Sequence, residues 1–302
     1  MYIVTGGDFV YLVVGANGFL GSYVLKNIIS GCDDSIIATY HGEFPSDSCD
    51  KITWIKCDVT SPDDIVNLKG FISDVTECRI FYFAACHNLD LVKREPEFAE
   101  SINVTALGNF LDVFRDAKCL YFSSTDCVYG ENTAEFPIFK ECDPLNPVNE
   151  YGRQKIGAEK LVLRYGFNVV RLPFMTGKSL LGYKKHFLDN VIDKASNGEK
   201  FTLADGLYRS ALDYESVANL LFTLSRRDNV PQILNVCGDD KLSKYDVGEM
   251  IRERYSLPRE NIVKVDESEI QKLFFERRAS STVMDNSKLK DFLKLDEIKM
   301  KI

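Results

Sequence analysis

A short apolar run that leads into a glycine-rich turn and then an amphipathic segment constrains the fold of this chain most strongly. Residues 9–14 are all apolar, glycines stand at positions 15, 18 and 21, and residues 22–30 carry apolar side chains at helical spacing. A run of this length fits one buried parallel strand, so the pattern predicts a strand, a tight turn and a helix. Such a unit binds dinucleotides, because the glycines let the backbone approach a pyrophosphate and the helix N-terminus attracts it.

The glycine spacing is G-x-x-G-x-x-G and differs from the G-x-G-x-x-G fingerprint, so an ordinary glycine-rich turn is the alternative. The predicted strand and helix on either side favour the nucleotide interpretation. The second predicted strand, residues 35–41, ends without the acidic residue that would bind the ribose 2′-OH of NAD. His41, when protonated, tolerates a 2′-phosphate. We therefore expect NADP or NAD as cofactor and favour NADP.

Tyr151 and Lys155 stand four residues apart in a predicted helix over residues 150–165. This spacing puts both side chains on one helix face, about one turn apart. A nearby cation favours the phenolate and lowers the pKa of a tyrosine, which makes the pair a candidate general acid and base. The spacing alone is common on helices, so the pair needs support from other motifs.

Hydroxyl side chains at Ser123, Ser124 and Thr125 follow a short apolar segment, residues 118–121. Ligands of open α/β sheets bind at the carboxyl ends of the strands, where these residues are expected. A serine or threonine there can donate to a carbonyl oxygen that gains negative charge during reduction. The alternative is a polar turn that satisfies its own backbone.

Together the three motifs resemble the extended short-chain dehydrogenase/reductase superfamily, and in particular its dTDP-4-dehydrorhamnose reductases. Residues 143–159, with the pattern D-P-x-N-P-x-N-x-Y-G-x-x-K-x-x-x-E, and residues 95–103 share this likeness, which extends over residues 10–240. The resemblance implies an α/β fold of the Rossmann type, with a doubly wound parallel sheet. It also implies reduction of a nucleotide-linked 4-keto sugar by a reduced nicotinamide.

The resemblance implies a catalytic group of three residues. Tyr151 would protonate the C4 oxygen of the sugar, Lys155 would hold the nicotinamide ribose and lower the tyrosine pKa, and Thr125 would polarise the carbonyl. Arg209 matches an arginine that grips the substrate diphosphate in related epimerases, although an exposed surface arginine is the alternative. The implied substrate-binding residues are Ser124, Thr125, Asp126 and Arg209.

The resemblance also implies cofactor contacts. Asp58 matches an aspartate that contacts the adenine, and Ala84 and Ala85 match a loop that lines the cofactor. The full predicted set is Gly15, Asn17, Gly18, Phe19, Leu20, Gly21, Tyr40, His41, Asp58, Val59, Ala84, Ala85, Ser123, Ser124, Tyr151 and Lys155.

Cys127 departs from the family pattern. Nucleotide-sugar 4,6-dehydratases carry a glutamate base at this position, and a buried thiol, which ionises above ~8.5, replaces it poorly. We therefore do not expect dehydratase activity. The rhamnose-type reductases usually carry a tyrosine there, so Cys127 departs from their pattern too. Two alternatives to the reductase stay open. One is an epimerase of the same superfamily, and the other is a non-catalytic, NADP-binding regulatory subunit like that of methionine adenosyltransferase.

Composition agrees with a globular enzyme. A net charge of −8 argues against nucleic-acid binding, and no apolar run approaches the ~20 residues that a membrane-spanning helix needs. The nine cysteines are odd in number and include no C-x-x-C pair, and the three histidines are scattered. We expect neither disulfides nor a metal site, and we expect a reducing compartment such as the cytoplasm.

Alternating strand and helix patterns predict a parallel sheet with helices on both faces, and the pattern loosens from about residue 173. We expect a cofactor-binding domain over residues 1–172, to which residues 211–237 return, and a substrate-binding lobe formed by residues 173–210 and 238–302. The resemblance implies a homodimer through the predicted helix 96–117 and the Tyr–Lys helix. Residues 1–9 form an extra segment to which we assign no function.

Overall fold

The computed structural model describes residues 9–44 and 49–302, so residues 1–8 of the N-terminal extra segment lie outside the described residues. The strands are β1 Val10–Val14, β2 Ser35–Tyr40, β3 Ile52–Lys56, β4 Cys78–Tyr82, β5 Cys119–Thr125, β6 Asn168–Leu172, β7 Met175–Thr176, β8 Phe201–Ala204, β9 Tyr208–Arg209, β10 Leu212–Asp213, β11 Ile233–Asn235, β12 Ile262–Val265 and β13 Ser281–Thr282. The α-helices are α1 Phe19–Gly31, α2 Pro62–Lys69, α3 Leu89–Arg94, α4 Pro96–Glu100, α5 Ala106–Val113, α6 Glu150–Arg164, α7 Phe187–Ser196, α8 Tyr214–Ser225, α9 Lys244–Tyr255, α10 Glu267–Ile270 and α11 Ser287–Leu293.

A seven-stranded sheet in the order β11-β6-β5-β4-β1-β2-β3 forms the centre of the fold. Strand β1 pairs in parallel with β2 on one side and with β4 on the other, and all five of its residues are buried. Burial on both faces explains why the sequence of β1 is continuously apolar and does not alternate. The predicted Rossmann-type α/β fold is confirmed.

The chain divides into two compact units. Unit 1 comprises the described part of Met1–Ser124 together with Gln154–Val170 and Ala218–Ile233, and unit 2 comprises Thr125–Arg153, Arg171–Val217 and Leu234–Ile302. The predicted boundaries of the cofactor-binding domain and the substrate lobe stay a prediction, because compactness does not show which residues bind a ligand.

Each unit has its own apolar core. In unit 1 the side chains of α2 and α5 pack on the sheet, and the rings of Phe110 and Phe114 stack with their centroids 4.4 Å apart. In unit 2, α7 and α9 pack beside β8, which pairs in parallel with β12. A Cβ at Gly248 would meet Cδ1 of Leu203, so a larger residue where α9 crosses β8 would require the Leu203 side chain to move.

The predicted helix over residues 96–117 is interrupted. Helix α4 passes into a π-helical turn at Ser101–Thr105 and then into α5, which ends at Val113. Such turns are frequent at functional sites. Here the π turn directs Asn103 inward, and this side chain is almost fully buried.

None of the helices in the described residues is long and apolar enough to cross a membrane. All nine cysteines belong to the described chain, and each is a free thiol. The described ranges also contain no cluster of three or more His, Cys, Asp or Glu side chains that could hold a metal ion.

Candidate active site

The glycine-rich turn between β1 and α1 is held tightly within unit 1. Gly15 adopts a left-handed conformation, with φ +80°, and its N–H donates to the Thr39 hydroxyl at 3.0 Å. The Asn17 amide donates to the His41 carbonyl at 3.1 Å, which ties the turn to the end of β2. A Cβ at Gly21 would lie 2.5 Å from the Gly15 carbonyl oxygen, so a larger residue would push the turn away from the helix.

This turn fits the pyrophosphate of a dinucleotide. Helix α1 starts after Gly18, and among the described residues no side chain caps it and no acidic residue lies in its first turn. The N-terminal N–H groups of a helix attract phosphates, and an acidic cap would compete with them. Predicted contact residues Phe19 and Leu20 lie in this first turn.

The ends of β2 and β3 carry the residues predicted to contact the adenosine part of the cofactor. Asp58 accepts hydrogen bonds from the Thr60 hydroxyl at 2.7 Å and the Thr60 N–H at 2.9 Å, and these bonds lower the pKa of its carboxyl. His41 Nε2 lies 3.9 Å from Asp58 Oδ2, and both side chains are largely exposed. Tyr40 ends β2, and Val59 directly follows Asp58. Asp58 and His41 therefore remain accessible to a ligand.

The carboxyl ends of β4 and β5 carry further predicted contacts. Ala84 and Ala85 follow β4, and the Ala84 N–H group lies 3.0 Å from where a Cβ of Gly15 would stand. The Ser123 hydroxyl donates to the Tyr82 carbonyl at 3.2 Å. The backbone of this predicted cofactor loop therefore packs closely against the glycine-rich turn.

Lys155 and Ser124 lie deep in unit 1. The Lys155 ammonium is 4.2 Å from the centre of the Phe122 ring, and the residue is 1% exposed. Burial lowers the pKa of Lys155 to about 7, although the carboxylate of Glu159 opposes this effect. The Ser124 hydroxyl donates to Glu159 Oε1 at 2.5 Å. Burial of this ammonium group destabilises the folded chain, and the lysine lies on the helix that carries the predicted catalytic tyrosine.

Thr125, Asp126 and Arg209 lie close together in unit 2. The Thr125 hydroxyl donates to Asp126 Oδ1 at 3.1 Å and accepts from the Cys127 N–H at 3.2 Å. Arg209 Nε lies 3.3 Å from Asp126 Oδ2. Burial, together with the Asp126 carboxylate, raises the pKa of the Cys127 thiol to about 12. Such a thiol stays protonated at neutral pH, which agrees with our expectation that Cys127 is not a base.

Tyr151 lies in the first turn of α6 and belongs to unit 2. It is mostly buried, with 8% of its surface exposed. The start of the helix is fixed within unit 2, because the Gly152 N–H donates to Asn149 Oδ1 at 2.9 Å and a Cβ at Gly152 would lie 2.6 Å from the Cys127 carbonyl oxygen. The predicted helix is confirmed, and it carries Tyr151 and Lys155 four positions apart.

Several polar residues of the site were not predicted. Asn103 in the π turn donates to Gln154 Oε1 at 2.9 Å, and Gln154 directly precedes Lys155 on α6. The Thr282 hydroxyl donates to Asp126 Oδ2. Glu159 stood at the end of the quoted motif, and its position one helical turn after Lys155 was the signal that could have identified it.

A comparison of the sequence with known protein families identifies the family of the chain. The family described as RmlD substrate binding domain matches residues 10–300, nearly the whole chain. The chain belongs to this family. The family resemblance inferred from the sequence is therefore confirmed.

Relatives of this RmlD substrate binding domain protein include proteins of different kinds. Methionine adenosyltransferase 2 subunit beta of Danio rerio is 25% identical over 264 residues, which cover 85% of this chain and 77% of the relative. A probable low-salt glycan biosynthesis reductase, Agl14, of Haloferax volcanii is 30% identical over 168 residues, or 55% of this chain and 53% of the relative.

Among solved structures, dTDP-4-dehydrorhamnose reductase of Bacillus anthracis in complex with NADP is 17% identical, with a TM-score of 0.79. The alignment covers 97% of this chain and 96% of that one. At this identity the likeness supports the fold, and the fold alone, of our RmlD substrate binding domain protein.

Proposed function

We propose that the protein is an NAD(P)-dependent reductase of nucleotide-linked 4-keto sugars. One observation carries the proposal: α6 bears Tyr151 and, four residues later, a fully buried Lys155 whose pKa is lowered to about 7. Burying a lysine costs stability, and perturbed groups of this kind cluster at functional sites.

The glycine-rich turn supports the cofactor part of the proposal. Gly15, Gly18 and Gly21 bring the backbone and the uncapped start of α1 to one place, where they would bind a pyrophosphate. Asp58 and His41 would face the adenosine. A bound reduced nicotinamide would supply the hydride. The likeness to the NADP complex of the Bacillus anthracis reductase agrees with this assignment.

The residues of this chain would then handle the proton and the carbonyl. The Tyr151 phenol would donate its proton to the C4 oxygen as the carbonyl is reduced. A protonated Lys155 would bind the nicotinamide ribose and stabilise the phenolate that remains. The Thr125 hydroxyl would hydrogen-bond the same oxygen and stabilise its growing negative charge. The bound substrate would be a nucleotide sugar.

A substrate screen tests the proposal. The purified protein is mixed with dTDP- and UDP-linked 4-keto sugars, and the loss of NADPH and of NADH is followed by absorbance. We expect stoichiometric oxidation of the cofactor with at least one sugar. Interconversion of sugars without net cofactor consumption would indicate the epimerase instead, and absence of any sugar chemistry would refute both.

A second function is favoured by one observation, the similarity to methionine adenosyltransferase 2 subunit beta over 85% of this chain. In that case the protein would bind NADP without turnover and would act on a partner enzyme. Co-purification with a methionine adenosyltransferase catalytic subunit, together with a negative sugar screen, would support this alternative. The retained Thr125, Tyr151 and Lys155 side chains favour the reductase.

We also propose that the protein is a cytoplasmic homodimer. Phe98 on α4 is 52% exposed, and α4 belongs to the helix pair that the family resemblance assigns to the dimer interface. Light scattering at several concentrations tests the dimer, and cell fractionation tests the location.

A further inference from the structure

Arg209 is held by contacts within its own unit. Its Nε lies 3.3 Å from Asp126 Oδ2, its Nη1 donates to the Tyr208 carbonyl at 2.6 Å, and its Nη2 donates to the Ala279 carbonyl at 2.8 Å. Only 14% of the side chain is exposed. Each of the three guanidinium nitrogens thus contacts a protein oxygen, and these contacts fix the guanidinium group beside Asp126.

Asp126 joins Arg209 to the predicted catalytic threonine. Its Oδ2 pairs with the Arg209 guanidinium and accepts a hydrogen bond from the Thr282 hydroxyl. Its Oδ1 accepts a hydrogen bond from the Thr125 hydroxyl at 3.1 Å. The side chain of Asp126 is 6% exposed. A buried carboxylate therefore lies directly beside the hydroxyl that would meet the substrate carbonyl.

We propose that Arg209 is a positioning residue for Thr125: by pairing with Asp126, it neutralises the carboxylate and fixes the hydroxyl beside it. This inference rests on the proposed reductase function. It is an alternative to the role in diphosphate binding that the sequence resemblance implies for Arg209.

Electrostatics give the reason. Reduction puts negative charge on the carbonyl oxygen, and an unpaired carboxylate next to Thr125 would repel that charge, all the more strongly in a buried site. It would also retain the Thr125 proton. The contacts of Arg209 and Thr282 stabilise negative charge on Oδ2. The hydrogen bond from Thr125 to Oδ1 is longer than the usual ~2.7–2.8 Å between two oxygens. Thr125 is therefore held in place by a bond that a substrate oxygen can replace.

Paired variants test the inference. Arg209→Met leaves Asp126 unpaired, whereas Arg209→Met with Asp126→Asn removes both charges. Steady-state rates are measured with the sugar that the wild type reduces fastest, and binding of dTDP and UDP is measured by calorimetry. Arg254→Met, at an exposed arginine of unit 2, is the matched control.

We expect Arg209→Met to lower kcat at least ~10-fold while KM and the dissociation constants of dTDP and UDP change less than ~3-fold. Adding Asp126→Asn should recover most of the lost kcat, because no buried charge is then unpaired. If Arg209→Met fails to fold, Arg209→Lys takes its place, with a partial loss of kcat that Asp126→Asn does not relieve. Arg254→Met should match the wild type.

Two results overturn the inference. One is a rise of KM and of the nucleotide dissociation constants with kcat retained, which shows that Arg209 binds the diphosphate. The other is a loss of kcat in Arg209→Met that Asp126→Asn does not recover. Both presuppose an active wild type, so they leave the proposed function intact. A wild type that reduces no nucleotide keto sugar refutes the proposed function, and the inference falls with it.

Discussion

Ser124 donates a 2.5 Å hydrogen bond to Glu159, and both side chains are nearly fully buried in unit 1. The bond links the carboxyl end of β5 to the middle of α6, one turn beyond Lys155. Hydrogen bonds to a buried carboxylate are among the stronger ones in proteins. We infer that this bond fixes α6 on the sheet and keeps the carboxylate near the buried lysine.

Ser124→Ala should destabilise the protein by about 1.5–3 kcal/mol, because Glu159 loses a donor in a buried place. Urea denaturation measures the change. Ser30→Ala is the control, since the Ser30 hydroxyl bonds to the Lys26 carbonyl on an exposed helix surface. That variant should stay within about 0.5 kcal/mol of the wild type. Equal effects of the two substitutions would contradict the importance of the buried bond.

Lys155→Met should stabilise the folded protein at neutral pH. Burial lowers the pKa of Lys155 from 10.5 to about 7, and this effect exceeds the opposing attraction of Glu159. Methionine fills a similar volume without a charge. The gain in unfolding free energy should come with a loss of sugar reduction, as expected where function costs stability.

The pH dependence of that gain has a defined sign. Well below pH 7, Lys155 is charged in the folded and the unfolded chain, so the full cost of burying its charge is present. Between pH 7 and 10.5 the unfolded chain binds a proton that the folded chain lacks, so the stability of the wild type rises with pH relative to Lys155→Met. Denaturation curves across this range check it, with Lys160→Met, on the same helix but exposed, as control. If the difference in unfolding free energy between the wild type and Lys155→Met does not change with pH, burial does not lower the pKa of Lys155.

Gly18→Ala should weaken cofactor binding while the fold persists. Gly18 has φ −89°, which alanine adopts readily, and the added Cβ would meet only the Gly15 carbonyl oxygen, at 3.2 Å. The methyl group stands where phosphates would approach α1, so we expect a dissociation constant raised ~10-fold, about 1.4 kcal/mol.

Calorimetric titration with NADPH and NADH measures this effect and also tests the preference for NADP. Gly182→Ala is the matched control, because a Cβ there meets no atom within 4 Å. Unchanged affinity in Gly18→Ala would place the cofactor elsewhere.

Local sequence patterns predicted the elements that form the fold. The apolar run of residues 9–14 forms β1, and the pattern of residues 150–165 forms α6. These elements depend on residues that are close together in the sequence. The start of α1 was predicted three residues late, because the glycines were assigned to the turn although Phe19 already begins the helix.

The polar contacts of the site could not be predicted in the same way. The Ser124–Glu159 bond joins residues 35 positions apart, and the Thr282–Asp126 bond joins residues 156 positions apart. Neither pair has a local pattern that selects its partner. The motif around Tyr151 identified the candidate residues, whereas the engagement of Arg209 by Asp126 and two carbonyls required the tertiary structure.

Tyr151→Phe tests the central claim most directly. The substitution removes one hydroxyl and keeps the ring, so packing and cofactor affinity should be retained, with Tyr255→Phe at an exposed tyrosine as control. We predict that reduction of the active nucleotide 4-keto sugar, followed by NADPH absorbance, falls ~10²–10⁴-fold. A Tyr151→Phe enzyme that turns over at close to the wild-type rate would contradict the account.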